Sequence, residues 1–131
     1  MQSVAKLRNS PHPARKMRLL ADLVRGKSID EALQILKFHS KTLYAVQMEK
    51  LIKSAIANWS QKFEDLDIDD AGLIVKTIMV DAGKTIKRIQ PAPQGRAHRI
   101  RKRSNHITVV LESTSGIAEE VSHEEQTEEN K

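Results

Sequence analysis

The side chains best suited to chemistry are concentrated between Lys84 and Arg103. Eight cations, Lys84, Lys87, Arg88, Arg96, Arg99, Arg101, Lys102 and Arg103, occur in this stretch with no acid and no aromatic ring between them. Like charges at that density repel one another, so the segment makes sense chiefly when a polyanion supplies the counter-charge. An edge merely protected by charge would mix lysine with glutamate. Arginine predominates toward the end of the stretch, and its planar fork grips phosphate oxygens bidentately, whereas lysine acts as a flexible point charge. Ordered phosphate recognition is therefore expected, and the lack of interleaved aromatic rings argues against a base-stacking platform for single strands.

A second basic surface consists of Arg15, Lys16, Arg18 and Arg25, balanced only by Asp22. These side chains fall away from the apolar stripe of their helix, where backbone phosphates could reach them.

Other chemistries find little support. "DLDIDD" starting at Asp65 places Asp67 and Asp69 in an EF-hand register, but that register needs Gly where Asp70 stands and Glu where Lys76 stands. His12, His39, His98, His106 and His123 lack metal-ligand spacing, and nucleophile elbows and phosphate-cradling glycine loops are absent. No catalytic residue, metal site or cofactor is expected. A Mg²⁺-dependent nuclease built on Asp67, Asp69 and Asp70 is the enzymatic alternative.

The totals agree with a nucleic-acid partner. Glu112 to Lys131 hold seven acids and one lysine, so the net +5 of the chain conceals 21 basic against 10 acidic residues in positions 1–111. There is no cysteine, which excludes thiol nucleophiles, zinc ribbons and disulfides. No apolar run approaches the ~20 residues of a membrane span. A soluble, intracellular protein with no membrane partner is expected.

The elements that must position these residues follow from periodicity. "SVAKLR" alternates Val4, Lys6 and Arg8 with Ser3, Ala5 and Leu7, as a half-buried strand does. Met17, Leu20, Ala21 and Val24 mark a helix that starts near Ser10 and the prolines and ends at Gly26. Ser28 and Glu31 form a capping box for a second helix with Ile29, Ala32, Leu33 and Leu36 inside. A third helix from Ser40 to about Lys62 carries Tyr44, Met48, Leu51, Ala55 and Trp59 on one face; Phe38, Tyr44, Trp59 and Phe63 are expected to pack in the core. After an acidic connection, "LIVKTIMVDAG" and "HITVVLE" read as strands.

Between those strands the economical arrangement is one long antiparallel ribbon that continues both of them and turns near Pro91 to Gly95. Arms of about ten residues would project on the order of 30 Å. Positions 99, 101 and 103 share one side of an ideal strand while Lys102 faces the other, so charge occurs on both faces. Such a ribbon suits enclosure by folded RNA better than one-sided contact with a duplex.

"GRAHRIRKRSNHITV", preceded by "VDAGKTIKRIQP", resembles the bacterial large-subunit ribosomal protein L-twenty-two family, whose pattern runs G-R-A-x-R-I-x-K-R-x-x-H-I. The match falls on Gly95, Arg96, Ala97, Arg99, Ile100, Lys102, Arg103, His106 and Ile107, with Asp81, Gly83, Lys87, Arg88 and Pro91 upstream. "RKMRLLADLVRGKSIDEALQIL" and "SAIAN" extend the likeness over about residues 2–111. At the tip the family commonly reads P-R-A-x-G-R, whereas this chain has Pro91, Ala92, Pro93, Gln94 and Gly95 before Arg96, one arginine fewer.

The resemblance implies an α+β domain over residues 1–111, three helices packed on a small three-stranded antiparallel sheet, with a long protruding β-hairpin at about 82–106. It implies a structural constituent of the large subunit that binds ribosomal RNA, supports assembly and lines the peptide exit tunnel with Pro91 to Arg96, in the cytoplasm. The partners implied are large-subunit ribosomal RNA, neighbouring large-subunit proteins and the nascent peptide, with no homo-oligomer. RNA contacts are expected from Arg15, Lys16, Arg18, Arg25, Lys84, Lys87, Arg88, Arg96, Arg99, Arg101, Lys102 and Arg103, with His106 closing the ribbon's base. The acidic tail 112–131 is expected to be disordered. The alternative reading is an architectural DNA-binding protein that wraps a duplex with a basic β-ribbon arm.

Overall fold

The computed structural model describes residues 1–114 and has an α+β architecture. Strand β1 (Gln2–Ser10) is followed by helices α1 (Ala14–Val24), α2 (Ile29–Lys37), α3 (Thr42–Lys62) and the single turn α4 (Ile68–Ala71). Then come β2 (Leu73–Ala82), β3 (Ile86–Pro91), β4 (Ala97–Lys102) and β5 (Asn105–Ser113). β5 is the centre of an antiparallel sheet of order β1-β5-β2, and β3 pairs with β4 in a second, two-stranded sheet.

Period-2 burial makes the large sheet one-sided. In β5 every odd position from Asn105 to Ser113 is buried and every even one half-buried. β1 buries Ser3 and Ala5 while Val4, Lys6 and Arg8 face out. Helices α1, α2 and α3 cover the inner face, which holds Met17, Leu20, Val24, Met48, Ile52, Trp59, Ile78 and Val109 out of water. At 1.5 Å per residue the 21-residue α3 is ~31 Å long. It is pinned along β1 by Ser3 Oγ donating to the Ala55 carbonyl (3.0 Å) and Asn58 Nδ2 donating to that of Val4 (3.1 Å).

Several expectations need correction. The acidic connection is not wholly irregular: Ile68–Ala71 adds a fourth helix, ended by Gly72 at φ 58°. Ser28 stands at the start of α2, but its side chain makes no capping bond. Its backbone instead bridges to Ile74, and Glu31 lies 3.7 Å from Lys27. Phe38 is 81% exposed rather than packed, because α2 ends at Lys37 and the chain turns outward there. The ribbon does not continue both strands without a break, since Gly83–Thr85 and Arg103–Ser104 separate the two sheets. The six residue pairs of β3 and β4 account for about 20 Å of the arms. Finally, β5 runs through Glu112 and Ser113, past the expected boundary at residue 111; residues 115–131 lie outside the described residues.

Candidate nucleic-acid interface

The break between the two sheets is a built neck. Gly83 N–H donates to the Ser104 carbonyl (2.9 Å) and Ser104 Oγ to the Lys84 carbonyl (2.7 Å). A Cβ on Gly83 would lie 2.5 Å from Ser104 Oγ and 3.2 Å from His106 Nε2, so a larger residue would have to turn the Ser104 hydroxyl away from the Lys84 carbonyl and displace the imidazole slightly. His106 Nδ1 accepts from the Asn9 N–H (3.1 Å), which assigns the ring proton of the neutral imidazole to Nε2. Its imidazole thus ties the base of the ribbon to β1.

Buried Asn105 completes the neck. Its Nδ2 donates to the His12 carbonyl (2.8 Å), holding the Pro11–Pro13 turn against β5 and setting the start of α1 beside the ribbon. Nothing in the charge pattern singles out Asn105, and its position within "KRSNHI" is the only hint.

This placement joins the two basic surfaces. A cleft of about 460 Å³ is lined by Arg15, Lys16 and Arg18 from α1 and by Gly83, Arg103 and Ser104 from the neck. Adjoining it through Pro13, Arg103 and Ser104, a cleft of about 620 Å³ is lined by Lys84, Arg101, Lys102 and Arg103 with Asn9 and Pro13. No acid lines either cleft. The first turn of α1 carries no acidic residue and its cap, Pro13, makes no side-chain bond. Its free backbone N–H groups therefore add partial positive charge at the mouth of the first cleft.

Along the ribbon the register places Lys87 opposite Arg101, Ile89 opposite Arg99, and Arg88 opposite Ile100. Every residue of β3 is exposed. Among the described residues none of the eight ribbon cations is in an ion pair. At the tip, Gln94 and Gly95 both take left-handed backbone angles (φ 65° and 69°), and Ala92 N–H donates to the Arg96 carbonyl (2.8 Å). The turn spans 92–96, beyond the last pair Pro91–Ala97 and close to the expected Pro91 to Gly95, and no other atom lies within 4 Å of a Cβ built on Gly95.

Arg18 and Arg25 are partly committed elsewhere. Arg18 Nε donates to the Val80 carbonyl (3.2 Å), and Arg25 donates to the Ile78 carbonyl (2.8 Å) and to Asp22 (2.7 Å). With the Gly26 and Lys27 backbone bonded to Val75, they close the outer edge of β2. Arg15 and Lys16 have no such partner among the described residues and stay exposed. Nor, among the described residues, do three His, Asp or Glu side chains converge to hold a metal.

A family model described as "Ribosomal protein L22p/L17e" matches residues 5–112. The chain belongs to that ribosomal protein family. A protein of Flavobacterium psychrophilum named large ribosomal subunit protein uL22 is 59% identical over 109 residues, 83% of this chain and 79% of the relative. The protein of the same name from Christiangramia forsetii is 61% identical over 107 residues, 82% and 78% of the two chains. That from Bacteroides fragilis is 54% identical over 111 residues, 85% and 80%. The L22p/L17e family is one of structural ribosomal proteins rather than enzymes, and the bacterial ribosome that contains it is cytoplasmic. Membership lends no support to the architectural DNA-binding alternative. The neck, the ribbon and both clefts all fall within the matched span.

Proposed function

We propose that this chain binds large-subunit ribosomal RNA, helps to assemble the subunit, and presents its hairpin tip to the peptide exit tunnel. The observation that carries the reading is the convergence of Arg15 and Lys16 with Arg103 around a cleft that no acid lines, beside which a ribbon of cations without ion-pair partners among the described residues projects. A free two-stranded ribbon with charge on both faces lacks a second layer, and RNA wrapped around it supplies both the layer and the counter-charge. Membership of the ribosomal family makes ribosomal RNA the natural polyanion.

In this reading Lys84, Lys87, Arg88, Arg96, Arg99, Arg101, Lys102 and Arg103 hold phosphates along the ribbon, and Arg15 and Lys16 hold them at the body. Arg18 and Arg25 contribute charge while bracing β2, and His106 positions the base of the ribbon. Pro91, Ala92, Pro93, Gln94, Gly95 and Arg96 face the tunnel and the passing nascent peptide. The restricted prolines and the small side chain of Ala92 keep that tip narrow. Neighbouring large-subunit proteins complete the surroundings, and the chain acts as a single copy.

The test is photocrosslinking from positions 96–103 in purified particles. Crosslinks to ribosomal RNA within the exit tunnel are expected; contacts confined to the particle surface would contradict the hairpin assignment. Binding of the free protein to ribosomal RNA should weaken steeply with salt.

A further inference from the structure

We propose that the groove between β1 and α3 is a further RNA phosphate-binding site, continuous with the clefts around the neck. The inference rests on the ribosomal RNA reading above and extends it to residues outside the ribbon and α1. The groove, about 350 Å³, runs between the end of β1 and the middle of α3, and three cations line it, Lys6, Arg8 and Lys50. No acid lines it.

Charge on this part of the surface is sorted. Cations that lie next to acids are neutralised: Lys53 by Glu49 at 2.9 Å on α3 beside the groove, and, on other elements, Lys76 by Glu112 at 3.1 Å and Lys27 by Glu31 at 3.7 Å. Lys6, Arg8 and Lys50 are exposed and, among the described residues, have no ion-pair partner. Five acids line clefts at the opposite end of β2 and β5, Asp30 and Asp69 in one and Glu64, Asp67, Asp69 and Asp70 in the other, while Asp81 stands at the neck end opposite His106. An anionic strand is repelled from that end and drawn to this one.

The groove is also preorganised. Ser10 Oγ bonds to Gln47 Oε1 at one end, and the bonds from Ser3 and Asn58 hold β1 to α3 further along. Its floor includes Leu7 and Leu51, which suit sugar and base surfaces, while Asn9 and Ser54 add neutral polar groups. Asn9 and Pro11 line both this groove and the cleft that holds Lys84, Arg101 and Lys102. That cleft in turn shares Pro13, Arg103 and Ser104 with the one at the start of α1. The basic surface is therefore one belt around the neck, from α1 to α3. Its continuity with the ribbon favours RNA as occupant over a separate acidic peptide.

The test compares the full chain with a Lys6→Gln/Arg8→Gln/Lys50→Gln variant and an Arg99→Gln/Arg101→Gln variant, titrated with transcribed large-subunit ribosomal RNA across a salt series. The groove variant should lose about tenfold in affinity, and the slope of log K against log salt should fall by roughly 2, three phosphates at about 0.7 each. An unchanged affinity and slope, with binding lost in the ribbon variant, would overturn the groove site and leave the ribosomal RNA reading standing. If neither variant weakens binding, that reading fails as well. Lys50→Gln alone, at an exposed position of α3, serves if the triple variant does not fold, with an expected slope change of about 0.7. A photocrosslinker at position 50 in assembled particles should capture RNA; capture of protein alone would overturn the site.

Discussion

Lys87 and Arg101 stand directly opposite each other across the hairpin, two like charges with no acid between them on either strand. Opposed like charges destabilise a strand pair, where an opposite-charge pair contributes about 0.2–1 kcal/mol. The free hairpin is thus less stable than its backbone pairing allows. Replacing Lys87 by Glu should slow amide hydrogen exchange across β3 and β4 in the free protein while weakening ribosomal RNA binding by roughly tenfold, about 1.4 kcal/mol. Faster exchange together with unchanged RNA affinity would contradict both halves of this account.

Gly83 sets how the hairpin leaves the body. Its backbone needs no left-handed angle, so the constraint is steric: an added Cβ meets Ser104 Oγ at 2.5 Å. Gly83→Ala should cost about 1–3 kcal/mol, the usual range for overpacking. Removing the obstructing hydroxymethyl group with Ser104→Gly should recover part of that loss. A double-mutant cycle by chemical denaturation measures the coupling, and strict additivity would show that the two residues do not clash.

The body of the fold is legible in the sequence because its elements bury one face at a regular period. Met17, Leu20, Ala21 and Val24 recur at helical spacing and are buried, and the alternation in β1 matches its inside and outside faces. What periodicity cannot reach is decided by contacts between distant residues. The Ser28 side chain leaves its cap unmade, and its backbone joins β2 at Ile74. At the break, Gly83 is bonded to Ser104, twenty-one positions later. The cations of the site were visible as a charge run; their grouping around a neck depends on Asn105 reaching the His12 carbonyl, which no local pattern encodes.

The cations of α1 and its C-cap, Arg25, should separate into two classes. Arg25 donates to the Ile78 carbonyl and to Asp22, so Arg25→Gln should lower stability by about 0.5–1.5 kcal/mol, the net value of such hydrogen bonds. Arg15→Gln and Lys16→Gln should leave the thermal midpoint unchanged and reduce the salt dependence of RNA binding. Thermal unfolding and filter binding on the same samples distinguish the classes. Equal effects of all three substitutions on stability would remove the distinction.

Glu112 gives the sheet a dependence on acid. The Lys76 side chain donates to its carboxylate at 3.1 Å and the Gln2 amide at 3.3 Å, and these bonds hold the Glu112 carboxyl below the ordinary carboxylate range. A carboxyl whose pKa is lower folded than unfolded contributes stability above its unfolded value, and that contribution is lost as pH falls through its folded value. Glu112→Gln should therefore narrow the gap in stability between neutral and acid pH, with the difference from the parent chain confined to pH values above the folded titration. The effect is small, since the pair is at the surface, and it shrinks in high salt. Denaturation midpoints measured from pH 2 to 7 in low and high salt provide the check. Parallel pH profiles for the two proteins at low salt would mean that the Lys76 contact contributes nothing to stability.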